Sequence, residues 1–280
     1  MTSKSVADSL LREAEQAAEE YSWEGPFSEY LRMVIDDPSV SRLSHKIVYD
    51  SIVDHGVRES ATGDPVHGLF EDKIFGLDPT LDKIVQYFYS ASRRLEIRKR
   101  ILLLLGPPAA GKSSIATLIK QALERHTRTD NGAVYTIKGC PMQEEPLHLI
   151  PEKLRPKLLS EYGIYIEGEL CPRCRYMFNA EYLGNSADVP VVRVVFSETE
   201  AVGIGYYVAT NPNPTGAALL VGSINDDKLE GDRLDVAGKA FRLDGEFNVA
   251  NRGLIEFVEI FKADTHLLTA LLGLSQEQLI

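Results

Sequence analysis

Residues 100–114 read RILLLLGPPAAGKSS, and this stretch decides the fold of the chain. Ile101 to Leu105 form an unbroken apolar run of the length expected for a strand that is buried on both faces. Gly106 then opens the pattern G-x-x-x-x-G-K-S, and the apolar residues from Ile115 to Leu123 recur three and four positions apart, which predicts a helix. A strand, a glycine-bounded loop and a helix in this order are the context that a phosphate-binding P-loop requires.

The residue types in this loop fit the chemistry of a nucleotide site. Gly106 lets the chain turn, and Gly111 lets the backbone come close to a phosphate. The N–H groups of residues 109–113 are expected to point at an anion, because they lie at the start of a helix, where the dipole favours negative charge. Lys112 supplies a mobile cation for the terminal phosphates, and the hydroxyl of Ser113 is the expected Mg²⁺ ligand.

We therefore expect ATP and Mg²⁺ as cofactors, bound by one continuous segment. The prolines in this segment lack an N–H group and stiffen the approach to the loop, and its two alanines stand where such loops often carry glycine. The predicted binding residues are Gly106, Pro107, Pro108, Ala109, Ala110, Gly111, Lys112, Ser113 and Ser114.

Length and charge narrow the class of protein. A chain of 280 residues forms one or two domains with a sizeable core, and its net charge of −11 argues against broad binding to nucleic acid or to anionic membranes. No apolar run approaches the ~18 residues of a membrane span, and the first residues lack the apolar segment of a secretory signal. We expect a cytoplasmic protein with neither a membrane nor a nucleic-acid partner.

The three cysteines are a second candidate site. Cys140, Cys171 and Cys174 cannot all pair within one chain, which fits a reducing compartment. Cys171 and Cys174 form a C-x-x-C pattern, which supplies two of the four ligands of a zinc site, and Cys140 and His148 are the obvious further candidates. The alternative is two ordinary free thiols. The acidic pair at residues 144–145 is interpreted as solvated or capping, with a contribution to the nucleotide site as the alternative.

The order of predicted elements suggests the domain organisation. Residues 1–22, 27–35 and 40–53 read as helices and residues 56–68 as a loop, so residues 1–68 are interpreted as a helical N-terminal appendage. Strands and helices alternate over residues 69–280, which favours an α/β domain with a mainly parallel sheet. A small insertion near residues 168–188 contains the C-x-x-C pattern.

Several longer segments are more specific than the loop alone. They are KGCPMQEEPLHLIP (138–151), YGIYIEG (162–168), SETEAVGIG (197–205), LVGSI (220–224) and GEFNVANRGLIEFVEIFKAD (245–264). Together with the P-loop, they resemble the PrkA family, a prokaryotic family labelled serine protein kinase in which an AAA-type ATPase part precedes a separate kinase-like part. The resemblance covers about residues 27–280. It implies an ATP-binding AAA+ core, a three-layer α/β sandwich preceded by a helical segment, and a protein substrate that the sequence does not identify.

The last of these segments is also similar to the wider group of AAA+ proteins with an extra insertion, such as magnesium chelatases and sigma-54 activators. On their pattern G-x-(L/F)-x-x-A-x-x-G-(h)₄-D-E, Glu259 falls on the catalytic acid, whereas Val258 stands where the Mg²⁺-linked aspartate is expected. Glu256 is the candidate substitute, because it would point to the same side of a strand as Val258. The catalytic candidates are therefore Lys112, Glu259 and Glu256, although residues 253–262 fit a helix as well as a strand.

The family resemblance also implies parts that this chain lacks. The family continues with a polar sensing strand, an arginine that reaches a neighbouring phosphate, a lid domain and the kinase-like part, so we expect an incomplete domain without its lid and with weak or absent ATPase activity. A ring-shaped homo-oligomer is expected only of the full-length protein. The sequence has no H-R-D loop, D-F-G or G-x-S-x-G pattern. Two alternatives to a kinase therefore stay open, namely a remodelling or protease-linked motor and a fragment that binds nucleotide without hydrolysis.

Overall fold

The computed structural model describes residues 21–60, 63–209, 216–224, 241–263 and 265–277. The α-helices are α1 (Phe27–Asp36), α2 (Ser44–Val53), α3 (Asp78–Ser92), α4 (Lys112–Thr127), α5 (Arg155–Tyr162), α6 (Pro172–Ala180), α7 (Gly216–Val221), α8 (Glu246–Val249) and α9 (Thr265–Glu277). The strands are β1 (Glu24–Pro26), β2 (Val57–Glu59), β3 (Pro65–His67), β4 (Val134–Ile137), β5 (Pro190–Val194), β6 (Ile204–Val208), β7 (Ser223–Ile224), β8 (Phe241–Arg242) and β9 (Leu254–Val258). Of the described helices, none is both long enough and apolar enough to span a lipid bilayer.

The N-terminal helices follow the sequence pattern with two corrections. Helix α1 is confirmed, whereas the helix predicted over residues 40–53 divides into a 3₁₀ turn at Pro38–Ser41 and helix α2. Asp37 caps the 3₁₀ turn by accepting a hydrogen bond from the Ser39 N–H at 2.9 Å. Residues 56–68, predicted as a loop, contain the short antiparallel hairpin of β2 and β3. The helix predicted over residues 1–22 lies almost wholly outside the described residues.

Helices α3 and α4 lie on either side of the apolar run in the sequence, and α4 confirms the helix predicted over residues 115–123. Pro79 lies in the first turn of α3, where a missing N–H leaves no helical hydrogen bond unmade, and the N-cap residue Leu77 makes no side-chain capping hydrogen bond. Helix α4 begins at Lys112, directly after the P-loop glycine. It buries one face, formed by Ile115, Leu118, Ile119, Ala122 and Leu123. Full burial of each large aliphatic side chain contributes about 1.5–3 kcal/mol, so this face fixes the position of the helix.

The apolar run before the P-loop is not a strand buried on both faces, and that prediction is wrong. Within the described residues, Ile101–Leu105 pairs with no strand. Leu102 and Leu104 pack against the core that contains α4, whereas Ile101, Leu103 and Leu105 are 54%, 48% and 71% exposed. This alternation is the pattern of an extended chain with one buried face. Burial on both faces needs a packed layer against each face, and the described part of the chain covers only the face that carries Leu102 and Leu104.

The described strands form small sheets instead of one mainly parallel sheet. Strand β5 lies between β1 and β4 and is antiparallel to both. Strands β7 and β8 are also antiparallel, whereas β6 and β9 are parallel, with Ile204 opposite Leu254 and Val208 opposite Val258. The expected parallel sandwich is therefore matched only by the β6–β9 pair. Alternating strands and helices suggested parallel neighbours, but the long segment that joins β4 to β5 permits either direction.

Two larger apolar clusters and one smaller one position the candidate sites. The first cluster packs α2, α3 and α4 together and includes Ile47, Ile52, Ile84, Phe88, Leu118 and Leu123. The second joins α1, β4 and β5 to the C-x-x-C insertion and includes Tyr30, Ile137, Ile164, Val191 and all three cysteines. The third contains Leu220, Phe247, Leu267 and Leu271. The domain boundary near residue 68 stays a prediction.

Candidate functional site

The P-loop lies between the apolar run and α4, and its backbone makes two unusual turns. Gly111 has φ +80°, a left-handed conformation that glycine adopts without strain. Ala109 has φ +62°, in the same left-handed region, which is unfavourable for a residue with a Cβ atom. Because α4 begins at Lys112, the N–H groups of its first turn have no acceptor within the helix. The loop thus ends on a set of backbone donors at the positive end of the helix dipole.

The side chain of Lys112 folds back across this loop. Its Nζ donates hydrogen bonds to the carbonyl oxygen of Gly106 at 2.8 Å and to that of Pro107 at 2.7 Å. The ammonium group is therefore held at the mouth of the loop. Ser113 and Ser114 are exposed in the first turn of α4. The sequence-predicted loop residues are thus adjacent in space as well as in sequence.

The predicted acidic residues lie on β9 and directly after it. Residues 253–262, for which strand and helix were both open, form strand β9 and then a 3₁₀ turn at Ile260–Lys262. Glu259 joins the two elements in a left-handed conformation, with φ +57°, and its carboxylate is paired with Lys262. Val258, which stands at the expected aspartate position, is half-buried at the end of β9.

Glu256 is held by a residue that sequence reasoning missed. Its Oε2 lies 2.7 Å from the Nζ of Lys120, a buried lysine of α4 that is also 2.5 Å from Oε1 of Glu198. Burial acts to lower the pKa of Lys120, but the hydrogen bonds to Glu198 and Glu256 outweigh it and raise the pKa. The ammonium also lies 5.0 Å from the centre of the Tyr206 ring. A lysine in an amphipathic helix gives no sequence signal of burial.

The three cysteines lie together in the second apolar cluster. All are buried and reduced, and their sulfur atoms and a carboxylate oxygen of Glu144 lie within 4.8 Å of one another. Cys140, one of the two further candidates, is thus the neighbour of Cys171 and Cys174, although nothing in the sequence spacing brings them together. His148 is not part of this group but contacts it, because its Nδ1 lies 2.6 Å from Oε1 of Glu144 while its Nε2 donates to the carbonyl oxygen of Glu167.

Glu144 corrects the interpretation of residues 144–145 as solvated or capping. Its side chain is buried, and burial raises its pKa against the opposing hydrogen bond from His148. Glu145 does cap the following 3₁₀ turn, since its carboxylate accepts a hydrogen bond from the Leu147 N–H. Glu145 also pairs with Arg252 and accepts a hydrogen bond from the Tyr30 hydroxyl. The spacing of four residues between Glu144 and His148 was the sequence signal that could have predicted their contact.

Comparisons with known proteins find a family model and several curated relatives that match this chain. A family model described as the PrkA AAA domain matches residues 25–280. ATP-dependent protease PrkA of Bacillus subtilis (strain 168) is 43% identical over 272 residues, which make up 96% of this chain and 43% of that protein. Serine/threonine kinase YeaG of Escherichia coli (strain K12) is 30% identical over 213 residues, which make up 74% of this chain and 32% of that protein.

The family model covers nearly all of this chain, whereas the chain aligns with only part of each relative. The chain spans less than half the length of either relative. No solved structure matches it. An AAA domain has a P-loop α/β fold and generally binds a nucleotide, in agreement with the loop, the helix α4 and the parallel β6–β9 pair. The chain therefore belongs to the PrkA family and represents its AAA domain.

Proposed function

We propose that residues 106–114 bind Mg²⁺–ATP. The observation that carries this proposal is the position of the Lys112 ammonium, which hydrogen bonds Gly106 and Pro107 at the mouth of the loop and at the start of a 16-residue helix. A terminal phosphate placed there would accept from this ammonium and from the N–H groups of the first turn of α4. The exposed hydroxyl of Ser113 is available to ligate Mg²⁺.

The two acidic residues receive different roles in this proposal. Glu259 follows a strand that the Lys120–Glu256 ion pair ties to α4, and we assign to it the orientation or deprotonation of the attacking water. Glu256 was expected to substitute for the Mg²⁺-linked aspartate. Its pairing with Lys120 supports a positioning role instead, because the ion pair fixes β9 relative to the helix that carries the P-loop.

Calorimetry with Mg²⁺ and ATP tests nucleotide binding directly. A hydrogen bond to a charged group contributes about 1.5–3 kcal/mol, so Lys112→Ala is expected to weaken binding by about 10- to 150-fold. Lys83→Ala, at an exposed lysine of α3, is the matched control and should bind as the wild type does. The proposal fails if the wild-type chain releases no heat, or if Lys112→Ala binds equally well. Turnover measured on the same samples separates a slow ATPase from a fragment that binds without hydrolysis.

The fate of the γ-phosphate is a separate proposal about the longer protein. The resemblance to the PrkA family favours a serine protein kinase, and the E. coli relative is named a serine/threonine kinase. The B. subtilis relative, which is more similar, is named an ATP-dependent protease, which favours a motor that drives proteolysis. ATP labelled at the γ-phosphate discriminates between them in the full-length protein. Label on protein serine supports the kinase, whereas free phosphate together with a cleaved client supports the motor.

A further inference from the structure

We propose that Cys140, Cys171, Cys174 and Glu144 form a four-ligand site for Zn²⁺. The site lies in the second apolar cluster and uses none of the P-loop residues, so it is independent of nucleotide binding. It would be a structural site, because all four residues are buried and a closed set of four ligands leaves no open coordination position for a substrate.

The distances fit a tetrahedral ion. Zinc–sulfur bonds are about 2.3 Å long, so two thiolates of a tetrahedral site lie roughly 3.8 Å apart. The Sγ atoms of Cys140 and Cys171 are 3.9 Å apart, although these residues are 31 positions apart in sequence. All four ligand atoms lie within 4.8 Å of one another, so one ion can contact the whole set after small side-chain rotations.

The local backbone supports thiolates at this place. Cys171 is the N-cap of α6 and Cys174 lies in its first turn, so both sulfurs lie at the positive end of the helix dipole. The N–H of Cys174 donates to the Sγ of Cys171 at 3.3 Å. Sulfur ligands that are placed in this way suit a soft or borderline cation.

Glu144 completes the set and is itself oriented by its neighbours. The Cys171 N–H donates to its Oε2 at 2.7 Å, and His148 Nδ1 lies 2.6 Å from its Oε1. His148 is in turn fixed by the hydrogen bond from its Nε2 to the Glu167 carbonyl oxygen. Each carboxylate oxygen keeps a second lone pair for a metal ion. Hydrogen bonds of this kind to a ligating carboxylate are a regular feature of metal sites.

Packing of three neutral thiols beside an ion-paired Glu144 is the competing explanation, and it does not account for the convergence of the four ligand atoms. Cysteine thiols pack well in apolar surroundings on their own. The Glu144 carboxylate is only 4% exposed but is already paired with His148, so its burial alone does not require a metal ion. A bound ion accounts for the position of three sulfur atoms and a carboxylate oxygen within 4.8 Å of one another. The ion would join the loop after β4 to the start of α6, and so tie the C-x-x-C insertion to the three-stranded sheet.

Metal analysis of the purified 280-residue chain is the first test. We expect about one zinc per chain, and after removal of zinc we expect Co²⁺ to give the intense visible bands and the thiolate charge-transfer band of a tetrahedral site. Chelation should lower the melting temperature, and added Zn²⁺ should restore it. A wild-type chain that takes up neither zinc nor cobalt overturns the proposal, as does a chain that binds iron or copper instead.

Variants then test the ligand set. Cys140→Ser, Cys171→Ser and Cys174→Ser should each weaken the cobalt charge-transfer band, and Glu144→Gln should lower zinc affinity by at least about tenfold. Glu181→Gln, at an exposed carboxylate directly after α6, is the matched control and should bind zinc normally. If the cysteine variants fail to fold, two measurements still test the proposal. The wild-type cobalt spectrum reports whether thiolates ligate the metal, and the two glutamine variants report whether Glu144 does. Equal zinc affinity in Glu144→Gln and Glu181→Gln would remove Glu144 from the site.

Discussion

The Nζ of Lys120, in the helix that follows the P-loop, lies 2.7 Å from Oε2 of Glu256, in the strand that carries the acidic candidates. Lys120 is 5% exposed, so this contact lies in the interior. A lysine is tolerated there because Glu198 supplies a second carboxylate from the segment between β5 and β6. Two sequence-distant parts of the candidate nucleotide site are therefore joined by one buried cation.

The first prediction concerns this cation. Lys120→Met leaves two carboxylates without their partner, so we expect the free energy of unfolding to fall by about 2–4 kcal/mol. Glu198→Gln should cost less than about 1 kcal/mol, because Glu198 is the more exposed partner. Denaturant unfolding measures each value. The Lys120→Met/Glu256→Gln double variant should lose less than the sum of the two single variants, and strict additivity would mean that the pair contributes no coupling.

The second prediction uses the alternation in the apolar run before the P-loop. Leu104 packs against the core, whereas the side chain of Leu103 is about half exposed. Leu104→Ala should therefore lower the free energy of unfolding by about 1–3 kcal/mol, whereas Leu103→Ala should change it by less than about 0.5 kcal/mol. Equal losses in the two variants would restore the original prediction that this run is buried on both faces.

The third prediction concerns strain in the P-loop. Ala109 has φ +62°, a conformation that costs a residue with a Cβ atom about 1–2 kcal/mol, whereas its neighbour Ala110 has no positive φ. Ala109→Gly should therefore raise the free energy of unfolding by up to about 1 kcal/mol, after allowance for the greater entropy of glycine in the unfolded chain. Ala110→Gly should lower it by about 0.5–1 kcal/mol. Thermal unfolding of both variants checks the opposite signs, and a loss of stability in both would contradict the left-handed assignment at Ala109.

The parts of the site that could be predicted from sequence depend on short-range pattern. The P-loop and α4 are encoded within residues 106–127, where glycine positions and helical spacing act locally. The C-x-x-C pattern likewise placed Cys171 and Cys174 together, because an N-cap residue and a first-turn residue are neighbours in any helix.

The parts that could not be predicted depend on contacts between distant residues. Residues 253–262 have apolar spacing that suits a helix or a strand, and the pairing of β9 with β6 decides between them. The choice of Cys140 over His148 beside the C-x-x-C pattern results from how the loop after β4 packs against α6. Whether the apolar run at Ile101–Leu105 is buried on both faces depends on which elements pack against each face, and its own residues carry no information on those elements.

The fourth prediction is a pH dependence of stability that arises at His45. Burial lowers the pKa of His45, and the nearby positive charge of Arg98 lowers it further. The unfolded chain therefore binds a proton near pH ~6.5 that the folded chain resists, so stability is complete above this pH and falls as the pH drops toward the folded pKa. The slope is at most about 1.4 kcal/mol per pH unit.

His45→Gln should flatten this loss between about pH 7 and pH 5.5, as followed by denaturant unfolding across that range. His55→Gln, at an exposed histidine of the neighbouring turn, is the matched substitution. Because His45 packs against Tyr87 of α3, its substitution also removes packing energy, but that loss is independent of pH and shifts the whole curve without changing its slope. If the free energy of unfolding of His45→Gln depends on pH in the same way as that of the wild type, His45 does not cause the loss of stability at low pH.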